Sequence, residues 1–401
     1  MLISRGMRES VAAGKAHLFC DCARSLISNC GEVPFAHAFF VPGRIELLGK
    51  HTDYCGGRSL LCTVERGFCV VVAPRRDQHV VLYAVDRKEA ACFEISPDIV
   101  PSVGHWTNYA MTTVRRIATN FPAARCGCDI AFISDLPQAA GLSSSSAFVI
   151  AMFMALSTVN NLEMSEEYRQ NIRSKEDLAN YLGCCENGST FGTLKGTAGV
   201  GTFGGSQDHA AILCCKPEML SVFSFCPVRR ETDIRLSPAV VLRVVPSGVI
   251  AEKTGAAMHR YNGVSKRAAK LVELWNTATG EARGSLREVL GSQPDALAWL
   301  RSLLSARESI DAELRLTERL DQFLIESDRL IPQVSRLIEI EAWHEIGSLV
   351  DESQTLAEGN LMNQVPQTVA LQRNLRCAGA IAASSFGAGF GGSVWGMFVQ
   401  N

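Results

Sequence analysis

No apolar run in these 401 residues reaches the ~18–20 positions that a bilayer-spanning helix requires, which excludes one. The opening residues, MLISRGMRES, lack the apolar core of a secretory signal, so a cytoplasmic chain is expected. An excess of one charge is missing too. Against 39 Lys and Arg stand 41 Asp and Glu, a net charge of −2 that offers no basic field to nucleic acid or an anionic membrane. The 15 cysteines include no pair of Cys-x-x-Cys motifs and no histidine spacing that completes a zinc site. Their odd number and their settings, as in LFCDCA, LGCCE and AILCCK, read as free thiols acting as small hydrophobes. Internal repeats and low-complexity tails are likewise missing.

What is present is length and pattern. A chain of 401 residues exceeds one ordinary core and points to two domains or two lobes, expected as 1–220 and 221–401. An amphipathic helix is expected over 7–29 and strands over 36–41, 58–74, 79–85, 90–95 and 127–135, where β-branched and aromatic residues gather. Helical spacing marks 106–121, roughly 165–183 and a helix entered from a loop within 136–156. Strands near 219–226 and 239–246 follow. Much of 252–376 reads helical, and the chain ends on two strands around a glycine turn.

Three stretches carry chemistry. GRIELLGKHTDYCGG (43–57) looks like a Walker loop, but five residues rather than four separate Gly43 from Gly49, and His51 follows Lys50 where Ser or Thr is needed. In LPQAAGLSSSSAFVIA (136–151), Gly141 permits a tight backbone, and four serines precede an apolar helix. Its free N–H groups and positive dipole end favour phosphate, while a plain serine N-cap is the structural alternative. FGAGFGG (386–392) contains G-x-G-x-x-G, yet only nine residues follow Gly392, which rules out a dinucleotide fold. A tight hairpin and a backbone passing close to a ligand both remain open there.

In this order the stretches resemble the galactokinase/homoserine kinase/mevalonate kinase/phosphomevalonate kinase (GHMP) superfamily. PGRIELLGKHTDYCGG resembles the galactokinase signature P-G-R-[VI]-N-L-I-G-E-H-T-D-Y-x-G-G. LPQAAGLSSSSA is similar to the family's phosphate loop and AASSFGAGFGG to its third motif. GGSQDH (204–209) stands where the family has G-I-M-D-Q, and HRYNGVSKR (259–267) resembles Y-N-x-R-R. The resemblance implies an α+β fold of two lobes, the first like ribosomal protein S5 domain 2 and the second ferredoxin-like. It also implies ATP- and Mg²⁺-dependent phosphorylation of a small sugar's anomeric hydroxyl, by a monomer or homodimer with no nucleic-acid or membrane partner.

Residue by residue, Asp208 matches the family's catalytic aspartate and Arg44 the arginine beside it, the alternative for each being a structural ion pair. Gly141, Leu142, Ser143, Ser144 and Ser145 match the triphosphate loop. Ser145 and Glu186 match magnesium ligands, an oxygen set that Mg²⁺ favours. Gly387, Gly389 and Gly391 match the third motif. Trp106 matches the nucleotide pocket or is a core aromatic. His51, Asp53, Gly205 and Tyr261 match sugar contacts, with a satisfied turn histidine as the other reading of His51.

Five departures stand out. Lys50 replaces a family Glu that contacts the sugar's C6 hydroxyl, and Glu46 replaces an Asn. Either the two pair with each other, or Lys50 binds a C6 carboxylate and the substrate is a uronic acid such as galacturonate. The spacing from Glu186 to Asp208 is longer than in similar enzymes, which puts the glutamate's metal role in question. Ser384 replaces a basic residue. The chain also stops soon after the third motif, where relatives add another helix and strand. A sugar-sensing regulator without catalysis is the alternative from another class, opposed by the presence of Arg44, Asp208 and the serine loop together.

Overall fold

The computed structural model describes residues 2–31, 33–137, 140–251 and 256–400. Its first sheet is organised around one long strand. β1 (His37–Leu48) and β2 (Arg58–Pro74) pair antiparallel from His37↔Val72 to Leu48↔Leu60. β2 is rich in valine and buried over Phe68–Ala73, as a strand covered on both faces must be. β3 (His79–Ala84), β4 (Glu89–Glu94), β5 (Cys128–Ser134), β6 (Met219–Ser224) and β7 (Arg229–Arg235) complete the order β4-β3-β5-β2-β6-β7. The edge of β2 opposite β1 is shared. β6 takes Arg58–Leu61 and β5 takes Phe68–Pro74.

Helix α1 (Glu9–Cys30) covers one face through Cys22 and Leu26 against Val71, Ala73 and Ala131. α2 (Thr107–Asn120) and α3 (Ser144–Asn160) cover the other. α3 is apolar almost all round (AFVIAMFMAL), so it is buried between the sheet and further helices. α4 (Glu166–Asn171), α5 (Lys175–Asn187) and α6 (Gln207–Cys214) follow.

The second sheet holds β8 (Val240–Pro246), β9 (Ala382–Ser385) and β10 (Ser393–Val399) in the antiparallel order β8-β10-β9. Between its first two strands run α7 (Ala256–Thr279) and a series of helices from Leu286 to Cys377. A full β-α-β-β-α-β unit has a fourth strand that this sheet lacks among the described residues. The expected break at 220 is too early. β6 and β7 pair into the first sheet, so the sheets divide between Arg235 and Val240. The main core nevertheless crosses that division. Val41 and Ile45 belong to one cluster with Ile331, Val350, Trp395 and Met397. Two sheets joined by shared apolar packing fix the residues that face each other across the junction.

No helix among the described residues is long and apolar enough to cross a membrane. All fifteen cysteines are free thiols, and burial pushes those of Cys62 and Cys185 up to about 12.

Candidate active site

The site is assembled around Arg44. The β1–β2 register slips between Pro42↔Gly67 and Arg44↔Thr63, so Val64, Glu65 and Arg66 of β2 bulge opposite the single residue Gly43. A Cβ on Gly43 would lie 2.6 Å from Leu136 Cδ2 and 2.9 Å from the Leu142 carbonyl oxygen, so only glycine lets the serine loop lie against β1. The Arg44 amide donates to that carbonyl at 3.2 Å, so Leu142 contributes its backbone. The Arg44 side chain is buried. Its Nε and Nη2 reach Asp208 Oδ1 at 2.8 and 2.6 Å, and its Nη1 donates to the Gly141 carbonyl at 2.6 Å. Phe386 lies 5.9 Å from the guanidinium. One side chain thereby joins the first stretch, the serine loop, the aspartate and the glycine turn.

Asp208 is the second residue of α6, where the helix dipole favours a carboxylate. Its Oδ2 is 3.3 Å from Ser146 Oγ, which is also 2.8 Å from Glu186 Oε2. A hydroxyl has one proton and donates to one of these carboxylates at a time. The serine that meets the acidic pair is therefore Ser146, not Ser145. α3 begins at Ser144, and each helical residue turns about 100°, so Ser146 faces α5 and α6 while Ser145 lines the outer cavity.

Glu186 is the penultimate residue of α5, and the long segment after the helix folds back on itself. Val200 N donates to Glu186 O at 2.9 Å and Asn187 Nδ2 to Gly204 O at 2.8 Å. The added length loops outward, and Glu186 and Asp208 still line one pocket. His209 Nε2 is 3.2 Å from Glu186 Oε2 but off-line for a hydrogen bond.

That inner pocket also takes in His51, Asp53, Gly205 and Tyr261, each anticipated from the sequence. His51 Nε2 is 3.1 Å from the Ala388 carbonyl and Nδ1 is 2.9 Å from Tyr54 Oη. A carbonyl only accepts, so Nε2 carries a proton, and in the neutral ring Nδ1 accepts from the tyrosine. Asp53 Oδ2 accepts from the Gln207 amide at 3.2 Å, and any Cβ on Gly205 would run into that carboxylate. The Tyr261 ring is 5.5 Å from that of His51, and burial holds its phenol well above the usual range. The pocket measures about 40 Å³, room for roughly three waters, so a monosaccharide needs its walls to move.

Lys50 is not on this wall. Its Nζ donates to Ser353 Oγ at 3.0 Å, and that hydroxyl is 3.0 Å from Glu326 Oε1, which also accepts from Gly49 N at 2.8 Å. All three side chains are buried. The pull of Glu326 and Ser353 turns the ammonium away from the sugar-signature residues. Nor do Glu46 and Lys50 form an ion pair among the described residues. Glu46 Oε2 accepts from Gln207 Nε2 at 2.6 Å instead. Glu46 lines the pocket, and burial, opposed by the Lys50 and Arg44 charges, raises its carboxyl to about 7. Its place is the main feature that the sequence reading missed. Strand alternation from Arg44 would have put it on the same face.

A wider cavity of about 620 Å³ opens on the other side of Arg44. Ser143, Ser144, Ser145 and Gly141 form one end, and Trp106, Phe132 and Phe148 form an aromatic wall. Ser143 caps α3 with a φ of 60°, and its buried hydroxyl has no partner among the described residues. Trp106 Nε1 is also buried without one. Arg44 and Ala388 line both cavities. Of the glycine turn, Gly387 lines the inner pocket. Gly389 is pressed against Asn363, and a Cβ on Gly391 would lie 2.8 Å from the Val249 carbonyl, so these two serve packing. Ser384 sits on β9 bonded to Gln354 Oε1 at 3.2 Å, away from both cavities.

Comparison with known proteins agrees with this geometry. Residues 28–74 match the model of the galactokinase galactose-binding signature, and residues 108–192 match that of the GHMP kinases N terminal domain. A galactokinase of Actinobacillus pleuropneumoniae is 35% identical over 130 residues, 32% of this chain and 34% of the relative. The aligned stretch thus spans about a third of that protein. The fold matches Lactococcus lactis galactokinase, solved in complex with galactose, at a TM-score of 0.74 and 18% identity over 94% of this chain and 89% of that one. Streptococcus pneumoniae phosphomevalonate kinase, solved with phosphomevalonate and AMPPNP, matches at a TM-score of 0.58 and 12% identity over 91% and 93%. With its signature strand, serine-capped helix and glycine turn converging on Arg44, the chain carries a galactokinase galactose-binding signature and a GHMP kinase N-terminal domain on a galactokinase-like fold.

Proposed function

We propose that the protein transfers the γ-phosphoryl group of ATP to the anomeric hydroxyl of galactose or a closely related neutral hexose. The observation that carries this reading is the Arg44–Asp208 pair at the seam of a narrow polar pocket and a wide cavity with an aromatic wall. Phosphoryl transfer demands alignment and charge neutralisation more than covalent help from the protein. Asp208 faces the inner pocket and accepts or orients the proton of the attacking hydroxyl. Arg44 holds that carboxylate ionised and offers positive charge to the phosphoryl group in flight.

The residues present suit both cofactors. The free first-turn amides of α3, the unpartnered Ser143 hydroxyl and the aromatic wall fit a nucleotide triphosphate. Glu186 and Asp208, joined through Ser146, form the oxygen-rich donor set that Mg²⁺ favours. When bound there, Mg²⁺ supplies charge neutralisation for the phosphates.

Galactose in the complex of the Lactococcus relative and AMPPNP in that of the Streptococcus relative support the same pairing of ligands here. Lys50, turned to Ser353, gives no support to a C6 carboxylate and so none to galacturonate. ATP consumption over a panel of free sugars tests the reading, with phosphorus NMR of the product. A sugar 1-phosphate from galactose or a neutral relative is expected. Sugar binding without consumption of ATP for every member would replace the kinase by a sensor.

A further inference from the structure

Glu46 is 1% exposed, yet it lies on the wall of the inner pocket. Its Oε2 is engaged by Gln207 Nε2, and Gln207 Oε1 accepts from Ser59 Oγ at 2.7 Å, which fixes the amide's orientation. Its Oε1 has no hydrogen-bond partner among the described residues. An unsatisfied buried carboxylate oxygen is costly and calls for an explanation, and on a pocket wall a donor from the bound ligand supplies one. The cation that could have satisfied it, Lys50, is committed to Ser353.

We propose that Glu46 is a substrate-contacting, specificity-determining residue whose Oε1 accepts a hydrogen bond from a sugar hydroxyl other than the one phosphorylated. The inference rests on the sugar-kinase reading above. It names the substrate class as neutral polyhydroxylated sugars and excludes uronic acids. Glu46, Asp53, Glu186 and Asp208 place four carboxyl groups around the pocket, and its guanidinium, Arg44, is already bonded to Asp208. A sugar carboxylate would add a fifth beside them, and like charges at such range repel.

The test compares wild type with Glu46→Gln and Glu46→Leu. Gln keeps the shape and removes a buried charge, so it retains the fold. Its oxygen must serve Gln207, which leaves an NH₂ donor facing the sugar. Turnover is measured at pH 8, above the raised value of the Glu46 carboxyl, with galactose, its 2-, 3-, 4- and 6-deoxy analogues and galacturonate, and the same sugars are titrated calorimetrically at that pH. On wild type, one deoxy analogue is expected to lose about ten- to a hundredfold in kcat/KM and affinity. Both variants should show a similar loss on galactose and no further loss on that analogue, the coupling expected of groups in contact.

Losses that multiply for every analogue, unchanged affinity for galactose in both variants, or galacturonate used as well as galactose would each overturn the assignment of Glu46. Binding that follows the expected pattern without turnover would overturn the kinase reading alone. Absence of binding by every sugar would overturn both.

Discussion

The Arg44 guanidinium meets Asp208 through two nitrogens and gives its third to the carbonyl oxygen of Gly141. Residues 164 positions apart are thereby locked to the loop expected to hold the transferred phosphate. Asp208→Asn keeps an acceptor oxygen for Arg44 but loses the charge and the proton-accepting group. Turnover is expected to fall by about three orders of magnitude, as for removal of a central catalytic group. Stability should drop by about 1–3 kcal/mol, because a partly buried charge-assisted bond becomes a neutral one. Single-turnover phosphoryl transfer and thermal melting measure the two effects. A variant within tenfold of wild type would remove Asp208 from the chemistry.

Ser146 and Ser145 are neighbours with different outlooks, one toward Glu186 and Asp208 and the other toward the outer cavity. Ser146→Ala should therefore raise the Mg²⁺ concentration for half-maximal turnover by about tenfold or more, and Ser145→Ala by about twofold at most. Mg²⁺ titrations of the three proteins at saturating ATP separate the roles. The opposite ranking would restore Ser145 as the residue beside the metal.

These two serines also show how far a sequence can be read. Strand β2 was legible because its run of valines admits little else. The continuation of β1 past Val41 was not, since Pro42-Gly43 reads as a turn and the strand survives only because β2 bulges opposite it. The meeting of Arg44, Asp208, His51 and Tyr261 was legible through motif resemblance alone. Which of four serines faces the carboxylates depends on where α3 starts, a phase that four identical residues conceal. The direction of Lys50 depends on Glu326 and Ser353, which lie 276 and 303 residues away. The late sheet division had the same origin. β6 and β7 belong to the first sheet because β2 has an unpaired edge to offer, a tertiary fact.

Lys50→Glu, the change that would recreate the family residue, is expected to fail. It would put a carboxylate beside buried Glu326 and remove the ammonium that Ser353 accepts from, with Glu46 also close enough to feel the charge. Loss of one partner from a buried charge network costs about 3–5 kcal/mol. Denaturant unfolding should show a loss of that order, with no gain in galactose turnover. A stable variant with better galactose turnover would show that Lys50 can swing into the pocket.

Glu46 should leave a signature in the pH dependence of stability. Its carboxyl is raised by burial from an ordinary 4.5 to about 7, against the lowering influence of Lys50, Arg44 and the Gln207 hydrogen bond and with Glu326 raising it further. Between those values the folded protein holds a proton that the unfolded chain has released. Stability from this group is therefore complete below about pH 4.5 and lost as pH rises through about 7. The slope is at most ~1.4 kcal/mol per pH unit. Urea unfolding of wild type and Glu46→Gln from pH 5 to 8 isolates it, because the variant lacks the titrating group. The variant should gain on wild type as pH increases, and parallel curves would mean that Glu46 ionises normally.

Trp106 is half-buried on the wall of the outer cavity, 5.8 Å from Phe132 and 6.3 Å from Phe148 between ring centroids. Its Nε1 has no partner among the described residues, and a buried indole N–H normally finds one. Under the proposed kinase function the ring would offer a face to an adenine base and the N–H a donor. Trp106→Ala removes both and should raise KM for ATP by about tenfold, the size of one lost base–aromatic stack. Trp106→Phe keeps the face, deletes the donor and should fall between. Neither should move KM for the sugar, since Trp106 does not line the inner pocket. A general loss of packing would instead lower stability and disturb both constants together. Steady-state titration of each substrate at saturating levels of the other, beside a melting curve, tells a nucleotide contact from a core aromatic.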